Sequence, residues 1–300
     1  MSSDKRIIIA TGGTGGHIFP AIGLANYLAK VGFDPNLTID KRGLKFINKK
    51  FVKNAKIINS SSLNRNKIIS ICKILIAIFN SLVFLYKNKP KFIFGMGGYA
   101  SFPVCFAAII LRIPFIIYEN NLLIGKANRF LTPFAKRIFV SYKEIKGINL
   151  KYKDKTLVVG NILREEILHN LNEKNFKVSD EINVLVLGGS QAAKIFAEIL
   201  PDIFIDCKKN NINIKVYQQC LEEQKSNLKE KYENNKINYE LFSFTFDILH
   251  YYNLSNLVIT RAGSSALAEI LNRRIPIISI PLASSSENHQ FKNAQFFYKK

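Results

Sequence analysis

Four glycine-bearing stretches carry the residue types that could do chemistry in this chain. The first, Thr11–Gly16, places four glycines in six residues and runs straight into His17. Glycine lets a backbone approach a ligand closely, and N–H groups at the start of a helix favour anionic or electron-rich oxygen. His17 stands on the same edge and is of the type that exchanges a proton near neutral pH. The second stretch, Gly95–Tyr99 (GMGGY), repeats the pattern. The third is Gly188-Gly189-Ser190-Gln191 and the fourth Arg261-Ala262-Gly263-Ser264-Ser265. The strict dinucleotide fingerprint Gly-x-Gly-x-x-Gly fails at the first loop, because Ile18 stands where the third glycine belongs. A nicotinamide enzyme is therefore disfavoured.

Each loop needs a strand before it and a helix after it. Arg6–Ala10 is a short β-branched apolar run, the pattern of a strand buried on both faces. Ala21–Lys30 reads as an amphipathic helix with Pro20 near its first turn. Strand, glycine turn and helix recur through Lys91–Gly98 with Phe102–Leu111, then Ile113–Tyr118 with Ile124–Phe134. Arg137–Ser141 and Thr156–Arg164 close this half. Lys174–Glu181 is polar and reads as a linker. The pattern restarts at Ile182–Leu187 with a helix from Ala192, and continues through the strands Ile212–Cys220, Tyr239–Phe246, Leu257–Thr260 and Pro276–Pro281. A helix is expected over Ala266–Leu271 and another over His289–Phe297. The fold class is α/β, with two similar Rossmann-like halves and polar residues gathered at the carboxyl ends of parallel strands, where open sheets bind ligands.

Composition narrows the partners. The net charge is +21 over 300 residues. Such a balance suits a phosphate-bearing substrate or an anionic membrane surface, or else reflects a drift toward lysine, asparagine and isoleucine that leaves the charge on solvated surface. The lysines are dispersed and no recognition motif accompanies them, so nucleic acid is not expected. Cys72, Cys105, Cys207 and Cys220 lie far apart, which indicates neither a disulfide framework nor zinc. The N-terminus enters a strand directly, without a secretory signal pattern. Ile68–Tyr86 is the most apolar run and approaches the length of a membrane span. Lys73, Asn80 and two serines interrupt it. It reads as a helix of the sheet's outer layer with one face toward lipid and with Arg65, Lys67, Lys87, Lys89 and Lys91 at its ends meeting anionic headgroups.

Seven patches, in order, resemble the MurG family of N-acetylglucosaminyltransferases: TGGTGGHIFP, GMGGY, Glu119-Asn120-Asn121, Gly160–Arg164 (GNILR), Gly188–Gln191 (GGSQ), Arg261–Glu269 (RAGSSALAE) and Glu287–Gln295 (ENHQFKNAQ). The resemblance implies a GT-B glycosyltransferase with two Rossmann-like domains facing a cleft. Residues 1–163 would bind a lipid-linked acceptor, and residues 164–300 would bind UDP-N-acetylglucosamine. The implied reaction is inverting transfer of N-acetylglucosamine to the 4-hydroxyl of undecaprenyl-pyrophosphoryl-muramyl-pentapeptide, on the cytoplasmic face of the bacterial inner membrane, with other cell-wall synthesis proteins as further partners. Family members run several dozen residues further, so the second domain is expected to be incomplete.

That resemblance also distributes roles. His17 is the first candidate for general base and Glu119 the second. Thr14, Gly15, Gly16, Asn121, Arg164, Ser190, Gln191, Thr245, Ser264, Ser265, Glu269, Gln290 and Asn293 fall on the donor side. The backbone near Thr245 would read uracil, Glu269 the ribose hydroxyls, and Gln290 and Asn293 the sugar. Gly13, His17, Gly97, Gly98, Tyr99 and Asn120 fall on the acceptor side. No Asp-x-Asp triplet occurs, so no metal clamp and no cofactor are expected. The helices after Gly188–Gln191 and after Gly263–Ser265 would meet the diphosphate with backbone N–H groups instead. Four positions depart from the family pattern: Tyr118 and Asn120, where Tyr118-Glu119-Asn120-Asn121 stands for His-Glu-Gln-Asn, Ala192, which follows GGSQ in place of glycine, and His289, which replaces a glutamine. A transferase for another lipid acceptor and a non-catalytic, membrane-bound remnant are the alternatives.

Overall fold

Short β-branched runs bury both faces of a strand, and they set the architecture. In strand β1 (Arg6–Ala10), Ile7, Ile8, Ile9 and Ala10 are fully buried. The computed structural model describes residues 5–47, 55–59, 67–169, 181–282 and 288–298. The chain divides into two units, Met1–Arg164 and Glu165–Lys300.

In the first unit β1 is joined by β2 (Asp34–Ile39), β3 (Lys56–Ile57), β4 (Phe92–Gly95), β5 (Phe115–Glu119), β6 (Arg137–Val140) and β7 (Thr156–Val158). All pairings are parallel, in the order β3-β2-β1-β4-β5-β6-β7. The second unit holds β8 (Ile182–Leu187), β9 (Ile214–Gln219), β10 (Asn238–Phe242), β11 (Leu257–Thr260) and β12 (Ile277–Ser279), parallel in the order β10-β9-β8-β11-β12. In each sheet the strand order reverses beside the first strand, between β1 and β4 and between β8 and β11. Ligands of open α/β sheets bind at that switch point, outside the carboxyl ends. All four glycine-bearing loops of the sequence lie on these strands' carboxyl ends. The expected pair of Rossmann-like units is therefore present.

The strands fall close to their expected ranges, but four of the helices start earlier, and the one expected over Ile124–Phe134 is shorter at both ends, Lys126–Leu131. The first runs Gly15–Lys30, not Ala21–Lys30, and takes His17 and Pro20 inside it. The next begins at Gly98, four residues before Phe102, and ends at Ile110. In the second unit the helix after β8 is Gly189–Lys209 and the one after β11 is Ser264–Asn272. Glycine is a poor helix former in isolation, yet here it forms first turns because the strand ends hold them. The helix Lys225–Asn234 carries little apolar signal. Among its residues Leu228 and Tyr232, one turn apart, are buried. The expected linker Lys174–Glu181 lies outside the described residues, apart from Glu181, and so does Arg65.

The apolar run forms one helix, Lys67–Asn88. It buries Ser70, Ala77, Ser81 and Leu85, positions that share one face at helical spacing, and packs against the helix Gly98–Ile110. Ile68, Ile69, Ile71, Leu75, Ile76, Phe79, Val83 and Tyr86 are exposed. By length and composition the segment Ile68–Asn88 is apolar enough to cross a membrane, with 28% of its most apolar window buried. The cysteines are free thiols: Cys72 on this helix is exposed, Cys207 is half-buried, and Cys105 and Cys220 are buried. Burial pushes the Cys105 thiol up to about 12 and raises that of Cys220 as well.

Candidate functional site

In the first unit, three strand ends converge on the first turn of the helix Gly15–Lys30. Gly12 and Gly13 hold φ of +150° and +80°, and a Cβ at Gly12 would lie 2.6 Å from Ala100 Cβ and 2.7 Å from Asp40 Oδ1. Asp40, at the end of β2, is 2% exposed. Its Oδ1 accepts from the N–H groups of Gly13 (2.8 Å) and Gly43 (3.1 Å), and Oδ2 accepts from Arg42 Nε at 2.7 Å. The Gly13 N–H thus serves the loop's own clamp.

His17 Nδ1 lies 3.0 Å from the carbonyl of Met96, just past β4. A carbonyl only accepts, so Nδ1 carries the proton in this contact, and in the neutral ring Nε2 is the acceptor nitrogen. The imidazole lies against the second glycine turn. Gly97 and Gly98 hold φ of +87° and +71°. A Cβ on Gly98 would sit 3.2 Å from His17 Cδ2 and 3.3 Å from Nε2, and one on Gly97 would sit 3.3 Å from Cε1. Gly98→Ala is therefore expected to displace the ring and strain the turn. It should cost about 1–2 kcal/mol of stability, the left-handed strain of an added Cβ, read as a lowered Tm in thermal unfolding. Tyr99, next along this helix, is 37% exposed.

Glu119, at the end of β5, is 3% exposed and accepts four hydrogen bonds. Oε1 takes the N–H (3.1 Å) and Nδ2 (3.0 Å) of Asn121; Oε2 takes the N–H of Gly125 (2.9 Å) and Nδ2 of Asn128 (3.0 Å). This geometry makes Glu119 the organiser of its loop. Asn128, which sequence reasoning missed, is 1% exposed and also donates to the Tyr118 carbonyl at 3.0 Å. Asn121 Nδ2 donates to Asn120 Oδ1 at 3.0 Å, and Asn120 Nδ2 to the Gly16 carbonyl at 3.1 Å. Tyr118 precedes Glu119 on β5 and is buried. Its phenol meets Ser141 Oγ (2.9 Å), donates toward the Gly160 carbonyl (3.2 Å) and accepts from the Ile162 N–H (3.0 Å). Burial pushes it up to about 12. The segment it pins ends at Arg164, 7% exposed, with its guanidinium 4.6 Å over the Phe19 ring. Thr14 caps the first helix without a side-chain hydrogen bond to it.

In the second unit, two helices start at the switch point. Ser190 and Gln191 fall in the first turn of Gly189–Lys209, and Ser264 and Ser265 open Ser264–Asn272. First-turn N–H groups there face outward from the helix end, as anion sites require. Glu269 is 6% exposed and accepts from the Tyr252 hydroxyl at 3.3 Å. Asn293 is fully buried, with Nδ2 on the Ala262 carbonyl at 3.1 Å, so it braces the turn between β11 and its helix. Gln290 Oε1 accepts from the Leu282 N–H at 2.9 Å. Arg261 Nη1 donates to the Ile280 carbonyl at 3.1 Å, and its guanidinium lies 4.8 Å over Phe196. Thr245 Oγ1 accepts from the Asp247 N–H at 3.0 Å, between the exposed rings of Phe244 and Phe246.

Comparison with known proteins agrees with this layout. Residues 7–140 match the glycosyltransferase family 28 N-terminal domain, and residues 183–300 match the glycosyltransferase family 28 C-terminal domain. A Pelagibacter ubique (strain HTCC1062) protein is 38% identical over 299 residues, covering 99% of this chain and 83% of that protein. A Rickettsia canadensis (strain McKiel) protein is also 38% identical, covering 97% of this chain and 83% of its own. Both are named UDP-N-acetylglucosamine–N-acetylmuramyl-(pentapeptide) pyrophosphoryl-undecaprenol N-acetylglucosamine transferase. Among solved structures, Acinetobacter baumannii MurG superposes with a TM-score of 0.72 at 24% identity, covering 98% of this chain and 83% of that one. A Neisseria meningitidis UDP-GlcNAc 2-epimerase bound to UDP-GlcNAc superposes at 0.61 with 15% identity, covering 98% of this chain and 91% of that one, a likeness of fold.

Proposed function

The chain belongs to glycosyltransferase family 28, among the MurG transferases, and on that premise we propose how its residues divide the reaction. It is a UDP-N-acetylglucosamine-dependent N-acetylglucosaminyltransferase acting on N-acetylmuramyl-(pentapeptide) pyrophosphoryl-undecaprenol, a step of peptidoglycan synthesis. The first unit takes the acceptor. His17 Nε2 removes the proton from the acceptor's 4-hydroxyl as that oxygen attacks the anomeric carbon. The bond from that carbon to the UDP oxygen breaks, and the configuration inverts. The observation that carries this reading is the Nδ1 contact to the Met96 carbonyl, which turns the other edge of the ring toward the glycine turn at Gly98.

The second unit takes the nucleotide. Helix N-termini after β8 and β11 stabilise the charge that gathers on the departing diphosphate. Glu269 accepts from the ribose hydroxyls, the use a carboxylate has beside a vicinal diol in dinucleotide sites. The backbone at Thr245 reads uracil. Gln290 meets the sugar, and Asn293 contributes by bracing the Ala262 turn.

The test is turnover of UDP-N-acetylglucosamine by the purified chain with a short-chain acceptor analogue. Formation of the disaccharide-linked lipid supports the assignment. A folded chain that binds UDP-N-acetylglucosamine without turning over this acceptor overturns it, and favours a non-catalytic role or another acceptor.

The protein works at the surface of the inner membrane, on its cytoplasmic face. The exposed apolar face of the helix Lys67–Asn88 supports this, together with Lys73, Lys87, Lys89 and Lys91 on and beside it. Replacing both Ile76 and Phe79 by serine is expected to abolish co-sedimentation with anionic phosphatidylglycerol vesicles. Each side chain contributes about 1.5–3 kcal/mol on burial. Turnover of a water-soluble acceptor should remain unchanged.

A further inference from the structure

A proline inside the first helix leaves a carbonyl that another strand end captures. Pro20 is the sixth residue of Gly15–Lys30. A helix residue at that place would donate its N–H to the carbonyl four positions back, at Gly16. Proline has no N–H to give. The Gly16 carbonyl instead receives Asn120 Nδ2 at 3.1 Å, across 104 residues of sequence. The amide's orientation is fixed, because Asn120 Oδ1 accepts from Asn121 Nδ2 at 3.0 Å. Asn120 is 5% exposed.

The neighbouring carbonyl, that of His17 itself, accepts from Thr11 Oγ1 at 2.9 Å, and the imidazole contacts the Met96 carbonyl at 3.0 Å. The ends of β1, β4 and β5 thus hold adjacent atoms of one helical turn. We infer that Asn120 is a positioning residue for His17: it occupies the hydrogen-bonding place Pro20 vacates and so fixes the depth at which the imidazole meets the glycine turn. This rests on the reading of His17 as base, and it removes Asn120 from the set of groups touching the acceptor.

The test is a double-mutant cycle, which isolates the coupling between neighbours. Asn120→Ala alone should lower kcat about tenfold, the scale of one lost buried hydrogen bond, with KM for both substrates unchanged. Pro20→Ala restores an N–H to the Gly16 carbonyl. In that background Asn120→Ala should lower kcat by about twofold or less. The His17 ring resonances, followed by NMR, should shift in Asn120→Ala and return toward native in the double variant.

An equal loss in both backgrounds, accompanied by a raised acceptor KM, overturns the inference and makes Asn120 an acceptor contact. Should Asn120→Ala fail to fold, Asn120→Asp keeps the shape but removes the donor, and its kcat loss must likewise shrink beside Pro20→Ala. Should His17→Ala prove fully active, the base assignment fails. The NMR cycle still reports whether Asn120 holds the ring.

Discussion

His17→Ala should lower kcat by about 10²–10⁴-fold, the range a positioned general base supplies, and leave KM for UDP-N-acetylglucosamine unchanged. The split follows from the geometry. The imidazole packs on Gly97 and Gly98 and bonds the Met96 carbonyl, all within the first unit. The groups proposed for the diphosphate, ribose and uracil lie in the second, and the donor-side candidates of the first, Thr14, Gly15, Gly16, Asn121 and Arg164, keep their backbone in this variant. The sign of the pH dependence follows as well. A protonated imidazole cannot take the acceptor's proton, so turnover falls on acidification. His17→Gln retains a donor for the Met96 carbonyl but no base, so its kcat should be as low as that of the alanine variant. Steady-state kinetics across pH on the two variants and the parent checks this. A variant whose low-pH fall persists unchanged would assign that limb to another group.

Glu119→Ala should act mainly on stability. Its carboxylate is buried and accepts from four donors on Asn121, Gly125 and Asn128. Truncation leaves those donors facing a void. Each buried donor left unpaired costs about 1–3 kcal/mol, which appears as a clearly lowered Tm. Glu119→Gln does not rescue it, because the new amide turns an NH₂ toward donors where an acceptor is needed. Thermal unfolding and kcat should fall together in both variants. A Glu119→Gln protein with native Tm and a kcat reduced by several hundredfold would instead give Glu119 the base's part.

The fold was largely readable from the chain because buried parallel strands announce themselves as β-branched runs, as Arg6–Ala10 and Ile182–Leu187 do. The helix starts were not, since Gly15, Gly98 and Gly189 have poor intrinsic helix propensity and owe their conformation to strand ends distant in sequence. His17, Glu119 and Glu269 stood out through their motifs. The groups that hold them did not. Asp40 clamps Gly13 from 27 residues away, and Asn120 reaches Gly16 across 104. Asn128 looks like an ordinary polar position in a short helix, and only the folded sheet brings it to Glu119 and the Tyr118 carbonyl. Asn293 shows the converse. It sits within a recognisable motif, yet full burial gives it a bracing task at Ala262.

The uneven burial of the cysteines makes the chain its own labelling substrate. Cys72 stands exposed between Ile71 and Lys73 on the apolar helix, whereas Cys105 and Cys220 are buried with raised thiols. The thiolate is the reactive form, and access limits the rest. A maleimide used at one equivalent therefore couples first at Cys72, without any engineered site. An environment-sensitive dye carried there reports docking of that helix onto vesicles as a blue shift, in the otherwise unmodified protein and under turnover conditions.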